Sequence, residues 1–382
     1  MKLAVDWVPM EWPAAWDTAK LELLRGTAVN CLLHGPAGFE APAMEQVTLI
    51  PDCPWPGLPP RDGSSAGPTG NPWIDANGWQ VRLAKAHDAQ KPVWLASGKV
   101  ESANYAMAAA DAAMCGGRWV VKLDDQVAAG VAAGHADAVK AWKDLTLALG
   151  FFEKHREWAA MEPVAKLAIV SDFKEMNPGE LLNLAARQHV GYRIVLKDSH
   201  AISFAGMEAV LYADDQPPAK PLLAAMEAFA REGGLLMAPR PTAELVSAVG
   251  PVIDTQIRTV VHRLGKGRLA VPLKEWDDPF LLASDAHLLM SYRHDPVRLF
   301  NAGLLIPYVT SGAGRTVVQL VNYVGNESAN FVSMAVQTVC RAARWCTLET
   351  PEPRPLELHR EAGRIELRLP PFRTYAAIEI EG

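Results

Sequence analysis

Five apolar runs in the first 125 residues are followed by polar side chains: Asp6-Trp7, His34, Asp52, Ser97 to Glu101, and Asp124-Asp125. Four of the five carry a carboxylate. If these runs are parallel strands, their carboxyl ends are where α/β folds bind ligands. Glycoside hydrolysis ordinarily needs two carboxyl groups flanking one bond, one as acid and the other as nucleophile or base. Asp52, Glu101, Asp124 and Asp125 are therefore the candidate catalytic acids. A second use stays open, because an aspartate at a strand end often caps the next helix. Asp124-Asp125 precede QVAAGVAAG, so one of them suits that role.

The indoles point the same way. Ten of the twelve tryptophans fall within the first 158 residues. Sugar rings present apolar C–H faces that stack on indoles, while amides and carboxylates hydrogen-bond their hydroxyls. The segment NPWIDANGWQ, residues 71–80, sets Trp73 and Trp79 beside Asp75 and Asn77 and has this mixed character. Trp7, Trp55, Trp73, Asp75, Asn77, Trp94 and Trp119 are the candidate substrate-binding residues. Trp79 has a competing role in core packing, from a helix starting near Asp75; interior tryptophans are ordinary.

Strand and helix patterns alternate over residues 1–162, with runs at 2–8, 27–35, 46–52, 91–98 and 118–125. Alternation of this kind implies a parallel sheet or a barrel. Residues 53–75 are too rich in Pro, Gly and Ser for regular structure. The alternation restarts after Pro163, with strand patterns at 165–173, 192–198, 207–215 and 234–240 and a helix at 219–232 closed by Gly233-Gly234. A run at 267–273 and a helix near 278–290 complete this second unit, residues 163–298, a doubly wound α/β fold. From 299 to 382 the period changes to two, as in RTVVQLVNYV and RIELRLPPFRTYAAIEIE, which predicts a small antiparallel β-sandwich.

Composition narrows the function classes. The net charge of −6 supplies no basic footprint for nucleic acid. No apolar stretch reaches the ~18 residues of a membrane span, and MKLAVDWVPMEWP lacks the apolar core of a signal peptide. Cytoplasm is the default compartment. Five cysteines without metal-ligand spacing read as buried thiols. GSSAGPTG lacks the Lys-Ser/Thr of a phosphate loop, and LASGK is not a nucleophile elbow. No cofactor or metal is expected.

The order of parts resembles bacterial β-galactosidases and related glycosidases that join a TIM barrel to an amidotransferase-like domain and a C-terminal β-sandwich. The resemblance is carried by RWVVKLDD with its helix running into AKLAIVSDF, by AVLYADD…EGGLLMAPR, and by TVVQLVNYV…LPPFRTYAAIEI. It implies a barrel, yet five strands stand where eight and ~250 residues are usual. The expected first domain is thus a truncated (β/α) barrel. The resemblance also implies a glutamate nucleophile after KPVWLASG; here the run ends Ala96-Ser97-Gly98, and the nearest glutamate is Glu101. The general-acid Asn-Glu pair is missing from the first region, and no cysteine follows AVLYADD where an amidotransferase keeps its nucleophile.

Two functions follow as expectations. The first is a glycosidase acting on a small β-galactoside-like saccharide. The alternative is a non-catalytic saccharide-binding or assembly protein derived from one. A partial barrel leaves sheet edges that a partner must cover, so a homo-oligomer, most simply a dimer, is expected.

Overall fold

The computed structural model describes residues 6–35, 47–50, 67–68, 74–96, 100–174, 176–199, 202–274, 278–324, 328–337, 339–361 and 364–382. The first region contains β1 (Pro9–Glu11), β2 (Cys31–Leu33), β3 (Thr48–Ile50), β4 (Gly67–Pro68), β5 (Ile74–Asp75), α1 (Gly78–His87), β6 (Trp94–Leu95), α2 (Tyr105–Met114), β7 (Arg118–Trp119), α3 (Asp125–Ala133) and α4 (Ala136–Lys154). β1 pairs in parallel with β2, β2 with β3, and β6 with β7. A parallel bridge between Met10 and Val121 joins β1 to the continuation of β7. The strands therefore form one arc, β3-β2-β1-β7-β6, in which the last strand lies beside the first.

Alternation along these strands sorts their side chains onto two faces. Cys31, Leu33, Ile50, Trp94 and Val120 form one cluster. Met10, Leu32, Leu95, Trp119 and Val121 face the helices. Helix α4 presents Trp142, Leu145, Leu149 and Phe152 at helical spacing to that core. Nine of the ten residues of α2 are buried, five of them alanines. Such small side chains let α2 lie close between α4 and the sandwich.

The second region carries β9 (Leu167–Ser171), α5 (Met176–Arg187), β10 (Tyr192–Leu196), β11 (Ala209–Tyr212), α6 (Lys220–Glu232), β12 (Leu235–Met237), α7 (Ala243–Ala248), β13 (Val252–Thr255), β14 (Thr259–Leu264), β15 (Gly267–Pro272) and α8 (Pro279–Met290). Its sheet order is β10-β9-β11-β12-β15-β14-β13. The first five are parallel, and the order reverses between β9 and β11. β9 is buried at all five positions, as expected where helices cover both faces. Gly233 ends α6 at φ 133, a conformation side chains avoid. The antiparallel hairpin β13–β14 extends the sheet beyond the expected strands.

The third region pairs two antiparallel sheets. One is β21 (Arg354–Leu356), β20 (Ala342–Thr347), β24 (Tyr375–Glu381), β18 (Arg315–Asn322), β17 (Leu305–Gly312) and β8 (Glu162–Pro163), in that order. The other is β16 (Val297–Phe300), β19 (Ser333–Val336), β23 (Arg364–Arg368) and β22 (Leu358–Glu361). β16 straddles the boundary expected at residue 298 and pairs with β19. β8 straddles the boundary expected between residues 162 and 163 and pairs with β17.

The first region and the sandwich share one core, with Ile306, Tyr308, Val317, Tyr323 and Tyr375 in the same cluster as α2 and α4. At this seam Asp111 of α2 is fully buried. It accepts the Asn77 amide at 3.1 and 3.0 Å and the Tyr323 hydroxyl. Burial raises its carboxyl pKa above the usual value.

Candidate functional site

Parallel strands in the arc bring their carboxyl ends to one rim. Glu11 closes β1; its amide donates to the Val121 carbonyl at 2.8 Å. This fixes Glu11 beside the residue that follows Val121. Lys122 answers with its amine 3.0 and 3.2 Å from the two Glu11 carboxylate oxygens. The Glu11 side chain is 28% exposed and that of Lys122 53%. His34, just past β2, is exposed at φ 54. The rim thus holds an opposite-charge pair that meets solvent mainly through Lys122, with Glu11 Oε2 enclosed.

Asp124 and Asp125 follow on the same rim. The Asp124 side chain caps α3 by accepting the Gln126 amide at 3.0 Å. Its own amide donates to the Tyr105 hydroxyl at 2.7 Å. Asp125 is the exposed first residue of the helix, where its charge suits the positive end of the dipole. Of the two uses open for this pair, the geometry supplies capping. Glu101 is exposed and precedes a 3-10 turn, Ser102–Asn104, without bonding it through its side chain. Asp52, Trp55 and Trp73 lie outside the described residues.

The expected indole platform is corrected. β1 begins at Pro9, so Trp7 precedes its strand and lies away from the carboxyl end. Trp94 is the first residue of β6, 3% exposed, and its indole donates to the Trp7 carbonyl at 3.0 Å. Trp119 is 2% exposed and packs against Tyr105 with ring centroids 5.7 Å apart. A ring enclosed on both faces has none left for a sugar.

NPWIDANGWQ is corrected too. Asn77 is 1% exposed, and beyond its bond to Asp111 its carbonyl oxygen accepts from Gln80 at 3.0 Å. Trp79 packs against the core of the second region. Asp75 sits in the short ladder of β5 with β4. The described part of this segment stitches α1 to α2 and to the second region. Its Asn77 backbone amide serves a buried carboxylate, and its second ring serves a core.

The second region has its own strand-end cluster at the order reversal. Asp172 follows β9, Lys197 follows β10 and Asp214 follows β11. The Lys197 amine lies 2.9 Å from Asp172 and 3.0 Å from Asp214. Asp214 also accepts from the Ser171 hydroxyl at 3.2 Å and the Asp172 amide at 3.0 Å. Hydrogen bonds from the Lys174 amide and from Lys197 hold the Asp172 carboxyl down at about 2. Asp214 thus stands in the AVLYADD segment for which the resemblance implied a cysteine next.

Among the described residues no group of three His, Cys, Asp or Glu side chains could hold a metal ion. None of the described helices is long and apolar enough to cross a membrane. The four described cysteines, Cys31, Cys115, Cys340 and Cys346, are buried.

No family model matches the sequence, and no curated protein matches it significantly. Solved structures do match. α-L-Fucosidase isoenzyme 2 from Paenibacillus thiaminolyticus superposes with a TM-score of 0.54 at 11% identity over 80% of this chain. A β-galactosidase from Bacillus circulans sp. alkalophilus gives 0.51 at 10% identity over 80%. A GH42 β-galactosidase from G. stearothermophilus gives 0.50 at 10% over 80%. This chain spans 62%, 57% and 56% of their respective lengths. Likeness at such identity is one of architecture: the chain has a mixed α/β fold like that of solved glycosidases.

Proposed function

We propose that the protein is a saccharide-binding protein on a glycosidase-like scaffold, holding a small sugar at the rim around Glu11 and Lys122 without hydrolysing it. One observation carries this reading. The rim acids with described contacts are already engaged, Glu11 by Lys122 and Asp124 by the Gln126 amide. An ion pair open to water offers matched donors and acceptors to hydroxyls. It does not offer the proton-bearing acid and free nucleophile that glycoside cleavage requires.

The arc itself supports descent from a closed barrel. In an eight-stranded barrel the last strand lies beside the first, and here the strand running through Val121 lies beside β1. Further barrel strands would fall between β3 and β6 in the order of the arc. Edges β3 and β6 each have one strand partner among the described strands, and we take a second copy of the chain to cover them. Light scattering at micromolar concentration tests this; a dimer is expected, and a monomer removes it.

A second reading, a hydrolase of small β-galactoside-like glycosides, is favoured by the names of the solved structures that share the fold. It would use Glu101 and Asp125, exposed acids for which no partner is described, with Asp52, which lies outside the described residues, as the third candidate. Two assays on the same preparation separate the readings. Calorimetric titration with galactose, fucose and lactose is expected to show binding, and nitrophenyl glycosides at pH 5 to 8 no turnover. Turnover that falls on Glu101→Gln would establish the hydrolase instead. Absence of both binding and turnover would remove the sugar reading altogether.

A further inference from the structure

On the side of the arc where the strands begin, a cavity of about 730 Å³ opens between the first region and the sandwich. Its lining includes Lys85 of α1, Gly116-Gly117 and Arg118 ahead of and in β7, His155 after α4, and Gln319 of β18. The volume suits a ligand of monosaccharide size, since small-molecule sites run from roughly 300 to 1,000 Å³. None of the rim residues discussed above, Glu11, Lys122 or Asp124, lines it.

The charges in this cavity are unevenly matched. Arg118 is held by Glu153 through two bonds of 2.7 and 2.9 Å. Arg156 lies 3.6 Å from Glu153, Lys154 lies 3.6 Å from Glu352, and Glu157 lies 3.6 Å from Arg315. Asp6 is exposed. Lys85 differs: it is half-buried, and no described carboxylate lies within 4 Å of its amine. The chain makes room for that amine. A Cβ on Gly116 would stand 2.0 Å from the Lys85 Nζ, and Gly116 has φ +82. Beside it the His155 ring stacks on Trp158 at 4.1 Å, and neither His155 Nε2 nor Trp158 Nε1 has a hydrogen-bond partner among the described residues.

We propose that this cavity binds a small anionic ligand of sugar size, bearing a carboxylate or a phosphate that pairs with Lys85. The apolar flank is Phe152, Ala113 and Ala159, and Arg118, neutralised by Glu153, leaves Lys85 as the cation that an anion would meet. Burial, with a contribution from Arg118, lowers the Lys85 pKa from its ordinary value. An arriving anion relieves that cost. Affinity therefore falls as pH rises and the amine loses its proton. Protonated His155 is not required, since burial also holds its pKa below the usual value.

Calorimetric titration with glucuronate, glucose 6-phosphate and inorganic phosphate, with glucose as the neutral control, tests the site. Saturable binding of glucuronate or glucose 6-phosphate is expected, and which of the two binds identifies the anion. Inorganic phosphate alone, bound without either sugar acid or ester, would overturn the sugar-sized ligand. Lys85→Met should weaken binding at least tenfold with an unchanged melting temperature, and Lys85→Arg should retain it. Glucose binding as tightly as glucuronate, no saturable binding of any anion, or full affinity in Lys85→Met would each refute the proposal. Glu11 and Lys122 lie at the opposite strand ends, so the titrations are run on the Glu11→Gln chain, in which a sugar held at the rim no longer contributes, and every outcome above reads this cavity alone.

Discussion

The two α/β regions of this chain end their parallel strands in different ways. In the second region Lys197 sits between Asp172 and Asp214, with side chains 15%, 19% and 5% exposed, and fills the place where the strand order reverses. In the first region Glu11 and Lys122 make a single pair with Lys122 half in water. The switch point of an open α/β sheet is the usual ligand crevice. Here that crevice is occupied by the protein's own charges, whereas the rim of the arc keeps donors and acceptors available. Position at a strand end is therefore insufficient to mark a site. What matters is whether the polar groups there have already satisfied one another.

Removing the central cation separates the two regions most sharply. Lys197→Met leaves two carboxylates facing each other with little water, and a loss of about 3 kcal/mol is expected in denaturant unfolding. Retained stability would mean the triad is as loosely held as the rim. Acid offers a second test. The Asp172 carboxyl is held at about 2, below its unfolded value near 4. Its contribution is complete above roughly pH 4 and disappears as pH falls toward 2. Asp172→Asn should flatten that part of the melting-temperature profile.

Smaller effects are expected on the rim. Asp124→Ala removes a helix cap and should cost about 1 kcal/mol, while Asp124→Asn, still able to cap, should cost almost nothing. Neither should alter saccharide binding. Loss of binding in both would return Asp124 to the site. Lys122→Met should change stability by less than about 1 kcal/mol, since exposed ion pairs contribute little, yet it should abolish saccharide binding. An unaltered titration would equate the rim pair with ordinary surface charge.

Individual elements were legible in the sequence because local patterns carry them. The buried run LAIVS, the glycines after α6 and the alternation in RTVVQLVN all became the elements they predict. Asp124 was visible as a cap candidate for the same reason. What stayed hidden depends on long-range pairing. β1 was expected at residues 2–8; Pro9, which has no amide hydrogen, is tolerated as the first residue of a strand, and that start makes Glu11 the terminal residue. The bridge from Met10 to Val121 spans the whole region and leaves no local trace. Parity decides only which core Trp119 enters, because Val120 faces the opposite cluster and is equally buried; that both faces of this strand are covered is set by long-range packing. In NPWIDANGWQ the Asn77 backbone amide bonds a buried aspartate 34 residues away, a contact beyond any sequence window.

The most direct measurement is a crystal soaked in mixed monosaccharides. The account predicts an intact sugar hydrogen-bonded to Glu11 and Lys122, with the Asp124 cap undisturbed. Density for a sugar covalently joined to a carboxylate, or a rim left empty while a sugar occupies the Asp172–Lys197–Asp214 crevice, would contradict it.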